Sequence, residues 1–137
     1  MAARFKLTAP HVLERSEQTA LFQWAAVEAR RDPRLHLLNA SQNGMRASSI
    51  QQAAMAKRCG MKKGFPDVFL PVPSGVWHGL FIEMKRKDGV QSDVSQEQRQ
   101  WLTALRDQGY HAVVCYGWES AAQVIRLYLD AKSVLEG

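Results

Sequence analysis

Two carboxylates and one ammonium group are the side chains of this chain that could do chemistry together. Asp67 opens a short apolar run, and Glu83 and Lys85 close a second one. Side chains alternate along a strand, so Glu83 and Lys85 are expected on the same face. Mg²⁺ prefers oxygen ligands and is usually held by one or two carboxylates together with water and phosphates. The two acids and the lysine therefore suit binding of a divalent cation beside a phosphate.

The sequence between the two runs predicts a hairpin that brings these side chains together. Residues 71–75 contain two prolines, a serine and a glycine. Such residues interrupt a strand because proline lacks the N–H donor and glycine accepts turn dihedral angles. Residues 67–85 are therefore expected to form adjacent strands, with Asp67 near Glu83. The same spacing also fits solvent-exposed acids at strand ends, because short motifs often arise by chance.

The remaining sequence predicts an α/β fold with a mixed β-sheet flanked by helices. A loose arm is expected over residues 1–13 and a single folded domain over residues 14–137. The last strand follows a helix, so it should run parallel to a neighbouring strand. Apolar spacing and turn residues predict the order α-β-α-β-β-α-β-α, with helices over residues 14–31, 48–59, 95–108 and 119–133, and strands over residues 35–40, 67–70, 77–84 and 110–116.

The charge distribution points to a polyanionic partner. The net charge is +5, but residues 1–63 carry eleven Lys and Arg against four Asp and Glu, whereas residues 64–137 carry seven against nine. A basic half of this kind favours nucleic acid. No apolar run approaches the ~18 residues that span a bilayer, so no membrane partner is expected. Cys59 and Cys115 have no metal-ligand spacing and are expected to be free thiols in a reducing cytoplasm.

The ordered set of motifs resembles one nuclease family. Pro66-Asp67 followed by Glu83-Met84-Lys85 resembles the PD-(D/E)xK nuclease signature, and further motifs resemble the VRR-NUC (virus-type replication-repair nuclease) family. The resemblance covers about residues 14–130 and implies a restriction-endonuclease-like core. The further motifs are, in chain order, Glu17-Gln18 with Trp24, Asn43-Gly44 with Arg46, Lys62-Lys63-Gly64, and Ser95-x-x-Gln98-x-x-Trp101 followed by Gly109-Tyr110.

This resemblance implies a metal site built on the hairpin and the first helix. Asp67 and Glu83 would bind Mg²⁺ or Mn²⁺, with the main-chain carbonyl of Met84 as a further ligand. Glu17 stands where family members carry a metal-site acid. An acid in the first turn of a helix can also simply stabilise that helix, so both readings of Glu17 stay open.

Two further catalytic roles follow from the resemblance. Lys85 would orient the attacking water and stabilise the charge that develops on the phosphate. Gln98, on the helix after the second strand, would form a hydrogen bond near Lys85 or the phosphate, although it also fits a solvated helix position. The catalytic set implied by the family is therefore Asp67, Glu83, Lys85 and Gln98.

Two segments are expected to contact DNA. One is a polar loop after the first predicted strand, whose backbone N–H groups suit phosphate or sugar, although an ordinary Asn-Gly turn fits equally well. The other is a basic cluster just before Asp67, where positive charge favours the DNA backbone. The residues are Asn43, Gly44 and Arg46 in the loop, and Lys57, Lys62 and Lys63 in the cluster.

Together these features predict a metal-dependent endonuclease that cuts DNA. Stand-alone VRR-NUC proteins are similar to Holliday-junction resolvases and are usually homodimers, which implies structure-selective cleavage of branched DNA such as a four-way junction. One of the two apolar helical faces near residues 13–27 and 119–135 is expected at the dimer interface. The alternatives are another PD-(D/E)xK activity, such as an exonuclease or a nickase, and a non-catalytic DNA-binding module. The last is disfavoured because all three residues of the motif are present.

Overall fold

The computed structural model describes residues 10–41 and 48–131, except for the side chains of residues 10–12. Elements in these ranges follow the predicted order, with two short 3₁₀ helices added at Pro33–Leu37 and Gln91–Asp93. No helix there is long and apolar enough to cross a membrane. The helices and strands are α1 (Pro10–Glu28), β1 (Asn39–Ala40), α2 (Ile50–Arg58), β2 (Val68–Leu70), β3 (Leu80–Lys85), α3 (Gln96–Asp107), β4 (His111–Tyr116) and α4 (Trp118–Asp130).

The strands of the described ranges form one mixed sheet in the order β1-β2-β3-β4. β1 pairs antiparallel with β2, and β2 pairs antiparallel with β3, whereas β3 pairs parallel with β4. The parallel pair follows from the helical connection, because α3 carries the chain back before β4 starts. The predicted α/β class, with a mixed sheet flanked by helices, is confirmed.

The first strand is shorter than predicted. Only Asn39–Ala40 pair with β2, and Pro33–Leu37 form a 3₁₀ helix instead. Asp32 caps this helix by accepting a hydrogen bond from the backbone N–H of Arg34 at 3.2 Å, and proline suits the first helical position. The prediction of a strand was therefore wrong over residues 35–38, because the local capping signal outweighed the β-prone apolar run.

The first helix begins and ends earlier than predicted. α1 spans Pro10–Glu28 rather than residues 14–31, and residues 29–31 form a turn. Proline is tolerated in the first turn of a helix because its missing N–H would have no partner there. Residues 1–9 of the predicted arm lie outside the described part of the chain, as do residues 132–137.

One face of the sheet is covered by α1 and α4. Ile82 and Met84 of β3 belong to a buried cluster with Leu21 of α1 and Ile125 of α4. Tyr128, on α4, is only 4% exposed. Most of the apolar faces of the two helices is thus used inside the subunit, whereas Val27 of α1 and Leu127 of α4 are 61% and 64% exposed. The dimer interface expected on one of these helices stays a prediction.

The opposite face of the sheet packs against α3. Phe81 of β3 and Leu102 of α3 belong to a second, smaller buried cluster on this side. Because side chains alternate along a strand, Phe81, Glu83 and Lys85 share this face. β3 therefore directs Glu83 toward α3, where Gln98 contacts it, whereas Lys85 at the end of the strand also reaches Glu14 of α1.

The second helix stands apart from both clusters. α2 buries none of its residues, and Ile50 and Met55 are 90% and 53% exposed. Ser49 caps the helix, because its hydroxyl accepts a hydrogen bond from the backbone N–H of Gln52 at 3.1 Å. The helical spacing was predicted correctly, but the apolar positions of α2 meet no core among the described residues.

Candidate active site

Asp67 and Glu83 face each other across neighbouring strands. The register of β2 and β3 pairs Val68 with Ile82, which places Asp67 opposite Glu83. The backbone N–H of Met84 donates a hydrogen bond to Asp67 Oδ2 at 2.9 Å and fixes the aspartate at the end of its strand. The hairpin thus brings the two acids together, as the positions of the apolar runs predict.

Lys85 lies between acids from two different elements. Its Nζ is 3.9 Å from Glu83 Oε1 and 3.7 Å from Oε1 of Glu14, on α1. Lys85 is only 5% exposed. The ammonium group is therefore a buried group held by two carboxylates and not a mobile surface lysine. Glu14 was not among the predicted site residues, and no local signal in α1 distinguishes it from Glu17.

Gln98 connects α3 to the carboxylate of Glu83. Its Nε2 donates a hydrogen bond to Glu83 Oε1 at 2.6 Å, and its Oε1 accepts one from the backbone N–H of Ser95 at 2.8 Å. Ser95 Oγ in turn accepts a hydrogen bond from the backbone N–H of Gln98, which completes a capping box. Gln98 therefore both caps α3 and orients Glu83. The sequence predicted a hydrogen bond near Lys85 or a phosphate, and the Glu83 oxygen that Gln98 contacts is 3.9 Å from Lys85 Nζ.

The environment of the site favours the neutral form of its acids. Burial and the neighbouring charge of Asp67 raise the pKa of Glu83 to about 9, against the opposing effect of Lys85. The pKa of Asp67 is also raised, chiefly by burial. Burial likewise raises the pKa of Glu14. Without a cation, the Asp67–Glu83 pair therefore holds a proton at neutral pH.

Comparison with known proteins places this arrangement in a family. The sequence model of the VRR-NUC domain matches residues 7–119, which include every side chain of the site. The chain is a member of the VRR-NUC nuclease family. A solved structure named as a VRR_NUC domain protein is similar, with a TM-score of 0.70 and 28% sequence identity over 86% of this chain and 88% of that chain. No curated protein matches.

The donor atoms of this VRR-NUC site fit a divalent cation. Glu83 Oε2 is buried, and its only available hydrogen bond within the part of the chain that is described is the proton that it can share with Asp67 when the pair is protonated. Burying a polar oxygen in this way is unfavourable unless something binds it. No three His, Cys, Asp or Glu side chains converge in the same ranges. The site thus offers the two carboxylates of Asp67 and Glu83, which matches the needs of Mg²⁺, and the carbonyl of Met84 stays a predicted further ligand.

Glu17 occupies a different position from the one predicted. Its Oε2 accepts a hydrogen bond at 2.6 Å from the backbone N–H of Trp118, the first residue of α4. Gly117, the residue before α4, supplies no side-chain cap, so Glu17 caps α4 from the neighbouring helix. Glu14, one turn earlier on α1, is the acid that reaches Lys85. The geometry favours Glu14 over Glu17 as the helix-borne acid of the VRR-NUC site.

The predicted DNA contacts lie partly outside the described residues. Lys57 ends α2, and Lys62 and Lys63 follow it in the segment that leads to Asp67; all three lysines are exposed. Lys63 Nζ lies 3.7 Å from Glu97 Oε1. The basic cluster is thus on the surface next to the active-site hairpin. The predicted loop contacts, which fall outside the described ranges, are Asn43, Gly44 and Arg46.

Proposed function

We propose that this VRR-NUC protein is a metal-dependent endonuclease that hydrolyses phosphodiester bonds in branched DNA as a homodimer. The observation that carries the proposal is the carboxylate of Glu83, which is buried beside Asp67 and Lys85 and, when ionised, leaves Oε2 without a hydrogen-bond donor in the described residues. A buried acid in this setting is unfavourable by itself. A positively charged ligand explains its presence.

Asp67 and Glu83 are the residues that would hold Mg²⁺ or Mn²⁺. When bound, the cation supplies Lewis-acid polarisation of the scissile phosphate and lowers the pKa of an attacking water. The two carboxylates arrive already oriented, because Met84 N–H fixes Asp67 and Gln98 Nε2 fixes Glu83. Such preorganisation spares the site a rearrangement when substrate binds.

Lys85 would assist the reaction through its buried ammonium group. Its ammonium group can donate hydrogen bonds to the attacking water or to a non-bridging phosphate oxygen. Because the group is buried, its attraction for charge developing on the phosphate is stronger than it would be in bulk water. Oε1 of Glu14, on α1, lies 3.7 Å from the ammonium nitrogen and helps to hold it in place.

Branched DNA and a dimer are proposed from the substrate's own geometry. Resolving a four-way junction requires two cuts, and one active site cuts one strand at a time. A twofold dimer repeats the site about an axis that the junction can share. The exposed lysines beside the hairpin bind phosphates whatever the base sequence, which suits recognition of DNA shape.

A cleavage assay tests this function. Labelled four-way junction, linear duplex and single-stranded DNA are incubated with the protein in Mg²⁺, in Mn²⁺ and in EDTA. We expect paired cuts in the junction that require the cation, and slower cutting of the other two substrates. Degradation from DNA ends or single nicks in duplex would instead indicate an exonuclease or a nickase, and no cleavage under any condition would contradict the nuclease.

Light scattering tests the dimer separately. We expect a mass near twice the 15.4 kDa of the single chain. A monomer that still makes paired junction cuts would contradict this part of the proposal.

A further inference from the structure

A surface cavity of about 430 Å³ lies between α2 and α3. This volume is within the ~300–1,000 Å³ typical of sites for small molecules. Its walls come from the end of β1, from α2 and the segment after it, and from α3. Residues that line it include Ser41, Ala56, Met61, Lys62, Phe65 and Trp101.

Trp101 presents a fixed aromatic ring to this cavity. Its indole N–H donates a hydrogen bond to the carbonyl of Lys63 at 3.1 Å. The ring of Phe65 meets it edge-on, with the two centroids 5.0 Å apart. These contacts hold the half-buried indole in one orientation. Aromatic rings of this kind are platforms on which nucleobases stack.

The cavity wall is bonded directly to the active-site strand. Ser41 N–H donates a hydrogen bond to the carbonyl of Asp67, and Ser41 Oγ donates one to the carbonyl of Pro66, both at 2.7 Å. Phe65 precedes Asp67 by two residues, so their Cα atoms are at most about 7 Å apart. A nucleotide whose phosphate reaches Asp67 therefore has a neighbouring base within reach of the cavity.

The cavity and the active site also share α3 as a wall. Gly64 has φ +88°, and a Cβ atom there would lie 2.7 Å from the carbonyl carbon of Glu97 and 2.9 Å from the nitrogen of Gln98. The segment before Asp67 is therefore pressed against the first turn of α3. Gln98 and Trp101 follow each other on that helix, so one rigid element positions both Glu83 and the aromatic platform.

The charge around the cavity favours a polyanion. The sequence from residue 33 to residue 66 contains six Lys and Arg and no Asp or Glu. No acidic side chain lines the cavity among the described residues, and the nearby Glu97 lies 3.7 Å from Lys63. Lys62 lines the cavity, and the exposed residues Lys57, Arg58 and Lys63 are next to lining residues in the sequence; these four residues form its basic rim. An apolar, aromatic floor with this rim matches one nucleotide of a DNA strand better than it matches an acidic peptide or an apolar helix.

We propose that this cavity binds one unpaired nucleobase of the DNA strand being cut, stacked on Trp101, while the basic rim holds the flanking phosphates. The inference rests on the proposed DNA cleavage and adds what the enzyme recognises at a branch. A base inside a continuous duplex is already paired and stacked, so moving it into a pocket is unfavourable. Branch points and strand ends offer bases that are easier to extract, and the cavity selects them.

Binding of two oligonucleotides with equal charge tests this proposal. A thymidine 12-mer (~12 phosphates) and an abasic strand of the same length are compared by fluorescence anisotropy in EDTA at one salt concentration. Wild type is expected to bind the strand with bases about 5- to 100-fold more tightly. Ala56→Phe, which fills the cavity from α2, should abolish this preference without weakening binding of the abasic strand. Ala54→Phe, on the opposite side of the same exposed helix, should retain it.

Several outcomes would overturn the proposal. Equal affinity of wild type for the two strands would do so, and so would a preference that survives Ala56→Phe. A loss of base preference in Trp101→Leu, with Trp101→Phe retaining part of it, supports the stacking surface, provided that circular dichroism shows both variants folded. A change of mass in sedimentation for Ala56→Phe with unchanged base preference would assign the cavity to a second copy of the chain instead.

The readout is independent of cleavage. Binding is measured without metal, so base preference is observed even if no DNA is hydrolysed. Conversely, a Glu83→Gln protein should keep the base preference whatever happens to cleavage. The failure of the cavity proposal and the failure of the nuclease proposal are therefore distinguishable.

Discussion

Glu83 is the residue at which function and stability are most clearly opposed. The residue is 2% exposed, its carboxyl group lies beside that of Asp67, and in the ionised form one of its oxygens has no hydrogen-bond donor within the described residues. Lys85 and Gln98 offset only part of this, since the pKa of Glu83 still rises to about 9. A bound cation would reverse the balance by stabilising both ionised carboxylates. Under the proposed function, the same side chain thus lowers the stability of the metal-free protein and would bind the cation.

Glu83→Gln is therefore expected to raise the melting temperature of the metal-free protein. The pKa of Glu83 is about 9 in the folded state against an ordinary value of 4.5. Between these values the folded state binds more protons than the unfolded state, so stability falls as pH rises. Glutamine does not titrate, so the variant does not lose stability in this way. The difference in melting temperature between the variant and wild type should therefore grow by several degrees from about pH 6 to about pH 8.

Calorimetry in EDTA measures this difference. Glu119→Gln, which changes an exposed acid paired only with Lys87, is the matched control and should melt like wild type. A Glu83→Gln protein that melts below wild type at both pH values would show that the buried acid stabilises the fold.

The two acids of α1 should separate into a catalytic-site role and a structural role. Glu14→Ala removes a contact of Lys85 and is expected to lower the cleavage rate by about 10–100-fold, with little change in stability. Glu17→Ala removes the cap of α4 and should lose about 0.5–2 kcal/mol of unfolding free energy while most cleavage remains. Urea unfolding and single-turnover cleavage of both variants check this pair. A large loss of cleavage in Glu17→Ala with little change in Glu14→Ala would instead support Glu17 as the acid of the metal site.

At the scale of elements, the site depends on the contact between α3 and the segment before β2. The capping box of α3 orients the Gln98 side chain so that it donates a hydrogen bond to Glu83. Gly64 lets the segment that leads to Asp67 approach the same turn of α3. Two local features, a helix cap and a glycine with positive φ, thus set the relative positions of two strands and a helix. Neither feature is part of the metal-binding chemistry.

Gly64→Ala is expected to damage both stability and cleavage. Its Cβ would lie under 3.0 Å from the backbone of α3, in addition to the strain of alanine at φ +88°. We expect a loss of about 1–3 kcal/mol in unfolding free energy and a fall in cleavage rate as Gln98 is displaced. Gly60→Ala is the matched control, because Gly60 has φ +101° and nothing within 4 Å of its added Cβ. Equal effects of the two substitutions would show that strain alone, not the approach to α3, matters.

The sequence predicts those parts of the fold that local signals determine. The order of elements and the pairing of Asp67 with Glu83 both follow from apolar periodicity and turn residues. What it misses depends on contacts distant in sequence. The exposure of α2 is one example, because its apolar spacing looks like that of a packed helix. Glu14 is another, because only the folded chain brings α1 to Lys85.

At the scale of the whole molecule, positive charge is concentrated in the chain segment that precedes the active-site aspartate. Residues 1–63 carry a net excess of positive charge, and residues 64–137 do not. Under the proposed function, this division separates the surface that attracts DNA from the acidic site that would bind the cation. Long-range attraction to the DNA backbone and local chemistry are thereby supplied by different parts of one small domain.

Replacing both Lys62 and Lys63 with alanine should weaken binding to all DNA substrates together. Each phosphate contact contributes about −0.9 to the slope of log affinity against log salt, so the slope should become shallower by about one to two. Replacing Arg31 and Arg126, which contact Glu28 on the α1–α4 side, removes the same charge and should leave the slope nearer to that of wild type. Equal slopes for the two double variants would show that net charge alone governs binding.

The most direct test of the account is cleavage of a labelled four-way junction by wild type, Glu83→Gln and Glu119→Gln under single-turnover conditions. Wild type and Glu119→Gln should cut in Mg²⁺ and stop in EDTA. Glu83→Gln should bind the junction with similar affinity, remain folded and fail to cut, because it lacks the ionised carboxylate that the cation requires. Cleavage at the wild-type rate by rigorously purified Glu83→Gln protein, or by wild type in EDTA, would contradict the central claim.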